Sequence, residues 1–230
     1  KRLPLDNAVL MALHYEEERG LEFRLRLVEK IVSVCHTVRD VAETIVEELA
    51  AHYEWEYVSL FRIDEKKQQL TLVLQKAGAE THPLPEAFTL PLGKGVLSHV
   101  YGTGKPVNIS NVMEDPKFRD IYVRGVDRTL SEVCIPIVIQ SKVFYLLNIE
   151  DRHENAFSEE DLDSLLQVVQ EIENVLDRVW VHHFLQTILD STSDLVFVTN
   201  RQEKIGRPNQ ETMRQLGYSE DEMKALEVKD

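Results

Sequence analysis

Apolar residues recur along this chain with two alternating periods. Residues 7–19 carry Val9, Leu10, Leu13 and His14 on one helical face and Glu16, Glu17 and Glu18 on the other, and Gly20 ends the predicted helix. Over 21–36, Leu21, Leu25, Val28, Ile31, Val32 and Cys35 recur at steps of three and four, which predicts a second helix. Thr37-Val38-Arg39-Asp40 reads as a capping box, since a Thr oxygen can accept the backbone N–H three residues on. The helix it opens carries Val41, Ile45, Val46 and Leu49 and runs to about Tyr53. The period then drops to two. Tyr57–Asp64 and Gln69–Lys76 predict paired strands across the polar turn Glu65–Gln68, with Leu70, Leu72 and Leu74 on one side.

A loop with Gly78, Pro83 and Pro85 separates these from a short strand at Phe88–Leu92 and a short helix at Val96–Tyr101, stopped by Gly102 and Gly104. Pro106–Ile109 reads as an edge strand, where proline's missing donor does no harm. Residues 110–130 form a long polar connection of the kind that often carries function. Ser131–Ile139 and Lys142–Asp151, joined at Gln140-Ser141, are the most apolar stretch and are expected at the sheet centre. Ser158 caps a last long helix reaching about Leu189, with Glu159, Glu160 and Asp161 at its positive end. Along it Leu162, Leu165, Val169, Ile172, Leu176 and Val179 alternate steps of three and four, the spacing of a coiled-coil seam. That seam predicts a homodimer, with Leu165, Val169, Ile172, Leu176 and Val179 at the interface.

Composition narrows the function classes. The 230 residues carry a net charge of −14, which repels nucleic-acid phosphates, and no basic aromatic patch overrides it. The 43% hydrophobic and 29% charged content fits a packed core. No apolar run reaches membrane-spanning length, and Cys35 and Cys134 have neither metal-ligand spacing nor a disulfide framework, so a cytoplasmic setting is expected. The chain opens on Lys1 and is expected to be part of a longer one.

Between residues 93 and 161 stand Gly93-Lys94-Gly95, Gly102-Thr103-Gly104-Lys105-Pro106, Asn111-Val112-Met113-Glu114-Asp115-Pro116, Ser131-Glu132-Val133-Cys134-Ile135-Pro136 and Leu147-Asn148-Ile149-Glu150-Asp151, then Phe157-Ser158-Glu159-Glu160-Asp161. In this order they resemble a GAF domain, a small-molecule sensing module of bacterial signalling proteins, over about 37–180. The segment Leu185–Asn200, followed by Asn209 and Leu216-Gly217-Tyr218-Ser219, resembles the opening of a PAS domain over about 185–226, without the later strands of that fold. The resemblances imply an α+β fold. A five- or six-stranded antiparallel sheet carries helices on both faces, behind an N-terminal helical segment (1–36). The connecting helix (158–189) leads on to a truncated PAS-like segment (185–230). They also imply a regulatory input module rather than an enzyme, in a parent with a histidine kinase or diguanylate cyclase output. No cofactor is named by any residue.

Several motifs invite sharper chemistry. Gly102-Thr103-Gly104-Lys105 fails as a phosphate loop, because Pro106 stands where Ser or Thr must follow the lysine. Asn148, Phe157 and Asp161 match part of a cyclic-nucleotide signature of GAF domains, but Ile149 and Leu162 replace its Lys and final Glu. Cys134 in a buried strand reads as an inert thiol. No histidine pattern supports a metal site. By resemblance the ligand pocket lies between the sheet and the segments over one face, with candidates Val96, His99, Phe118, Tyr122, Arg124, Glu132, Cys134 and Asn148. Three functions compete at this level: ligand sensing, a ligand-free dimerising linker, and a thiol redox enzyme acting through Cys134.

Overall fold

The alternating segments resolve into one six-stranded sheet. The computed structural model describes residues 22–31, 38–53, 55–78, 82–123, 129–201 and 204–226, without the side chains of Val38, His182 and His183. It divides into two units, residues 1–177 and 178–230. The predicted helix over 7–19, the Thr37 cap, Leu21, Val32, Cys35 and Arg124 lie outside the described residues.

In the first unit the strands are β1 (Tyr57–Asp64), β2 (Gln69–Ala77), β3 (Thr89–Pro91), β4 (Val107–Ile109), β5 (Ser131–Ile139) and β6 (Lys142–Asp151). Their order is β3-β2-β1-β6-β5-β4, and every neighbouring pair is antiparallel. Gln140 and Ser141, at φ 50° and 62°, make the left-handed two-residue turn that matches strand twist. Only β6 of this hairpin sits centrally, beside β1; β5 is one strand in from the edge strand β4.

A bulge changes the reading of β2. The register slips between Leu60 and Phe61, so Phe61 faces Leu72 while Leu60 faces Leu74. The extra residue, Val73, sends Leu74 to the opposite face from Leu70 and Leu72 and turns Gln75 inward opposite Ser59. There Gln75 donates to Ser59 Oγ at 2.8 Å and accepts the Leu84 N–H at 2.7 Å. One inserted residue thus ties the 82–88 loop to the sheet.

On one face lie α1 (22–31), α2 (Val38–His52) and the start of α4 (Glu159–Ser191). α2 buries Val41, Ile45, Val46 and Leu49 as its spacing predicts. In α1 the buried stripe is Phe23, Leu27 and Ile31, while Leu25 is exposed and Val28 half-buried. The aromatic residue decides the rotation: Phe23 stacks on His52 at 4.0 Å and meets Tyr53 edge-on at 6.0 Å. The other face carries α3 (Gly95–Thr103), ended by Gly104 at φ 64°, whose N–H reaches Val100 O.

Ser158 and Asp161 cap α4 reciprocally: Ser158 Oγ accepts the Asp161 N–H at 3.1 Å, and Asp161 Oδ2 accepts the Ser158 N–H at 2.8 Å. The proposed dimer seam needs correction here. Leu165, Val169, Ile172 and Leu176 are buried in the chain's own core and Val179 is half-buried. A sheet needs a wide apolar stripe over it, and Val168 and Val175, also buried, widen this one into a core-facing stripe. Glu173 and Asp177 fix its seating by accepting the backbone N–H groups of Val138 and Gln140, at 2.6 and 2.9 Å. The open apolar positions on α4 come later: Val181, Phe184, Leu185 and Ile188.

The second unit holds the end of α4, a hairpin of β7 (Phe197–Thr199) and β8 (Ile205–Pro208), and the short helices α5 (Gln210–Leu216) and α6 (Glu220–Lys224). Its centre is Asn209, 1% exposed. Asn209 Nδ2 donates to Leu189 O and Asp194 O at 2.8 and 3.0 Å. Its Oδ1 accepts from the N–H groups of Val196 and Thr212 at 3.2 and 3.0 Å. Asn209→Ala strands these buried groups, so we expect a loss of about 2–4 kcal/mol in this unit. Amide exchange at Val196 and Thr212 should quicken roughly a hundredfold; unchanged exchange would show that the network carries little stability.

Candidate ligand site

Between α3 and the sheet the core leaves a cavity. Phe61, Leu70, Leu72, Val96, Leu97, Val100, Ile109, Val112, Phe118, Cys134 and Leu146 form an apolar cluster over this face. At one side of it opens a small pocket of about 20 Å³. Its walls are Leu84, Phe88 and Leu90 from the loop tied down by Gln75 and from β3, Val96 and Leu97 from α3, and Phe61 from β1. Gly95, at φ 81°, turns the chain into α3 so closely to Val123 that a Cβ there would meet Val123 Cγ2 at 3.3 Å. Lys94 and Tyr122 stand at the same pocket.

The floor is polar. Strand geometry puts every second residue of β5 and β6 on this face, and the register sets Glu132 opposite Glu150 and Cys134 opposite Asn148. All four are buried. Glu150 is well supplied: Oε1 accepts from Thr129 Oγ1 at 3.0 Å and from Tyr122 OH at 3.5 Å, and Oε2 accepts from Asn148 Nδ2 at 3.2 Å. Glu132 Oε2 and Asn148 Oδ1 have no hydrogen-bond partner among the described residues. Native interiors rarely leave such atoms unpaired, so a water molecule or a polar group of a ligand is the natural complement.

Burial dominates the electrostatics. It pushes Glu150 up to about 7 against the relief of its three donors. Burial and the neighbouring Glu150 push Glu132 well above the usual carboxylate range, and Asn148 eases it only slightly. The Cys134 thiol is raised by burial and then by both carboxyls, so no thiolate forms near neutral pH and this sulfur is not a nucleophile. Among the described residues no group of three His, Cys, Asp or Glu side chains is spaced to hold a metal ion.

Of the residues expected at the pocket, Val96, Tyr122, Glu132 and Asn148 line it. Phe118 and Cys134 belong to the adjoining apolar cluster, and His99 packs edge-on against Phe118 at 5.3 Å rather than facing the cavity. The omission was Glu150. It lies two residues beyond Asn148 in a strand, and so on the same face, which the period of two already implied. The partial cyclic-nucleotide signature does not converge on one site: Phe157 meets Trp55 edge-on at 5.5 Å, and Asp161 caps α4.

The family profile of the GAF domain matches residues 35–177. The chain belongs to the GAF family. Among curated proteins, this GAF chain is 27% identical over 114 residues to the probable 3',5'-cyclic phosphodiesterase pde-5 of Caenorhabditis elegans, covering 46% of this chain and 16% of that one. It is 29% identical over 93 residues to protein YtsP of Bacillus subtilis, covering 40% of this chain and 55% of that one. It therefore spans only part of either relative.

Solved structures with the same fold include the GAF domain of the Acinetobacter phosphoenolpyruvate-protein phosphotransferase. That domain shows 20% identity and a TM-score of 0.57, covering 72% of this chain and 95% of that one. The free methionine-R-sulfoxide reductase of Neisseria meningitidis, solved with its substrate, shows 18% identity and a TM-score of 0.56, covering 68% and 89%. At such identities the likeness concerns the fold. No helix among the described residues is long and apolar enough to cross a membrane.

Proposed function

We propose that this GAF domain is a regulatory input module that binds a small molecule in the pocket under α3 and passes its occupancy along α4. The observation that carries this reading is the buried Glu132–Asn148–Glu150 floor with two unpartnered polar atoms beneath apolar walls. Such a floor costs stability in an empty protein, and binding recovers that cost by completing the hydrogen bonds. A purely structural spacer gains nothing from it.

The reductases of similar fold raise the question of thiol chemistry. The buried, raised thiol of Cys134 supplies no thiolate, which favours regulation over catalysis. The second unit supports a signalling context: its helix–hairpin–helix order, with Asn209 capping α5 and Gly217 ending it, is in line with the opening of a PAS domain. In this reading the ligand favours one of two settings of α4, and its differential affinity for the two sets the size of the signal.

Native mass spectrometry of freshly purified chain, beside a denatured control, tests the reading. We expect a ligand-sized mass excess, or a rise in melting temperature with some member of a metabolite panel. An empty chain whose melting no metabolite moves would overturn it.

A further inference from the structure

We propose that the ligand is a small organic cation, with a primary ammonium, amidinium or guanidinium group seated on Glu132, Asn148 and Glu150. The inference rests on the pocket being a ligand site and adds the chemistry of its occupant. Three observations converge. Of the open atoms at the floor, Asn148 Oδ1 is an acceptor and Glu132 Oε2 becomes one once its carboxyl ionises, so a charged donor complements the ionised floor. Two carboxyls face each other in register, 1% and 5% exposed, and within the described residues no Arg or Lys ion pair forms with either. The walls above are apolar, as a short alkyl or aromatic stem requires. An inorganic cation is a poor fit, because among the described residues no group of three His, Cys, Asp or Glu side chains is spaced to hold one, and apolar walls stand where a hard ion needs oxygens. Lys94, exposed at the mouth, is placed to meet an anionic tail if the stem carries one.

Charge balance gives the inference a signature. Two buried carboxyls this close do not both ionise in the empty pocket, so at least one holds a proton near neutral pH. A bound organic cation takes over that neutralising role and the proton leaves to solvent. The other titratable groups facing the pair are Tyr122, the Cys134 thiol, which burial holds neutral in this range, and Lys94 at the mouth. Binding therefore tightens as pH rises from 5.5 to 8.

The test uses the full chain and named probes: n-butylammonium and methylguanidinium chloride, with tetramethylammonium chloride as a charged control that cannot donate. Amide resonances of Glu132, Cys134, Asn148 and Glu150 should shift saturably with the first two only, and at least tenfold less tightly at pH 5.5. Titration calorimetry in two buffers of different ionisation enthalpy should show net proton release approaching one per cation at pH 6.5. Glu132→Gln should abolish binding. Because that variant could fold poorly, the proton release is read on the unaltered protein. No saturable shift, equal response to tetramethylammonium, or binding without proton release overturns the cation assignment. A neutral or anionic species found in the pocket overturns it too, yet leaves the sensor reading standing. A chain that is empty and unresponsive to every probe overturns both.

Discussion

Ile172→Asp leaves the first unit unfolded at ambient temperature. Ile172 is fully buried between α4 and the sheet. Losing the side chain's burial costs about 2–4 kcal/mol, and placing a carboxylate without partners in the same space costs several more. The sum approaches the roughly 5–15 kcal/mol that holds a typical domain together. Circular dichroism should show lost structure, with no cooperative melt. This separates the core reading from the seam reading of α4. A variant that stays folded with an unchanged melting temperature, and changes only its mass in solution, would restore Ile172 to an intermolecular interface.

Glu150→Gln has the opposite sign. The wild-type carboxyl is held up to about 7 in the folded chain, above its value of 4.5 in an exposed one. The folded state thus binds this proton more tightly than the unfolded state. Its contribution is fully present below about pH 4.5 and is lost as pH rises through about 7. At pH 8 the ionised group costs about 3 kcal/mol, for a rise from 4.5 to about 7 at the usual ~1.4 kcal/mol per pH unit.

A glutamine keeps the acceptor that Thr129 and Tyr122 use. Its NH2 replaces the Oε2 that accepts from Asn148 Nδ2, so the Asn148 amide turns over to offer Oδ1, the atom without a partner in the wild type. We expect Glu150→Gln to melt several degrees above wild type at pH 8, to match it near pH 4.5, and to bind no organic cation. A gain in stability with a loss of binding is the mark of a functional strain. Equal melting temperatures at pH 8 would place Glu150 in a well-solvated setting and remove this argument.

The sheet was legible because its central strands are apolar runs closed off by polar turns, with β1 and β5 buried over most of their length. β1, β5 and β6 ended where their polar turns predicted, since one face of each must stay buried along its whole length. Three features were hidden for physical reasons. The Val73 bulge leaves no mark in a hydrophobic pattern, yet it decides which face Gln75 takes. The rotation of α1 depends on Phe23 finding His52, a tertiary contact that helical spacing alone does not favour over the Leu25 line. The stripe of α4 has the spacing of a coiled coil and the width of a core-facing helix, and only the sheet beneath it shows which applies. At the pocket, Glu132 and Asn148 were legible from the family pattern. Glu150 needed the register, because a charged residue near a strand's end reads as solvent-facing until its face is counted. His99 failed for the converse reason: one turn of a short helix separates facing the cavity from packing on Phe118.

The account stands on a facing pair of buried carboxyls with no cationic partner among the described residues. Their ionisation can be followed directly. Carbon NMR of protein labelled at the glutamate side-chain carboxyl, assigned with Glu132→Gln and Glu150→Gln, reads each group from pH 4 to 9. The account predicts that Glu150 titrates near 7 and that Glu132 titrates well above the exposed glutamates, with both moving down when n-butylammonium is bound. Both groups titrating with the exposed glutamates, near pH 4–5, would contradict it.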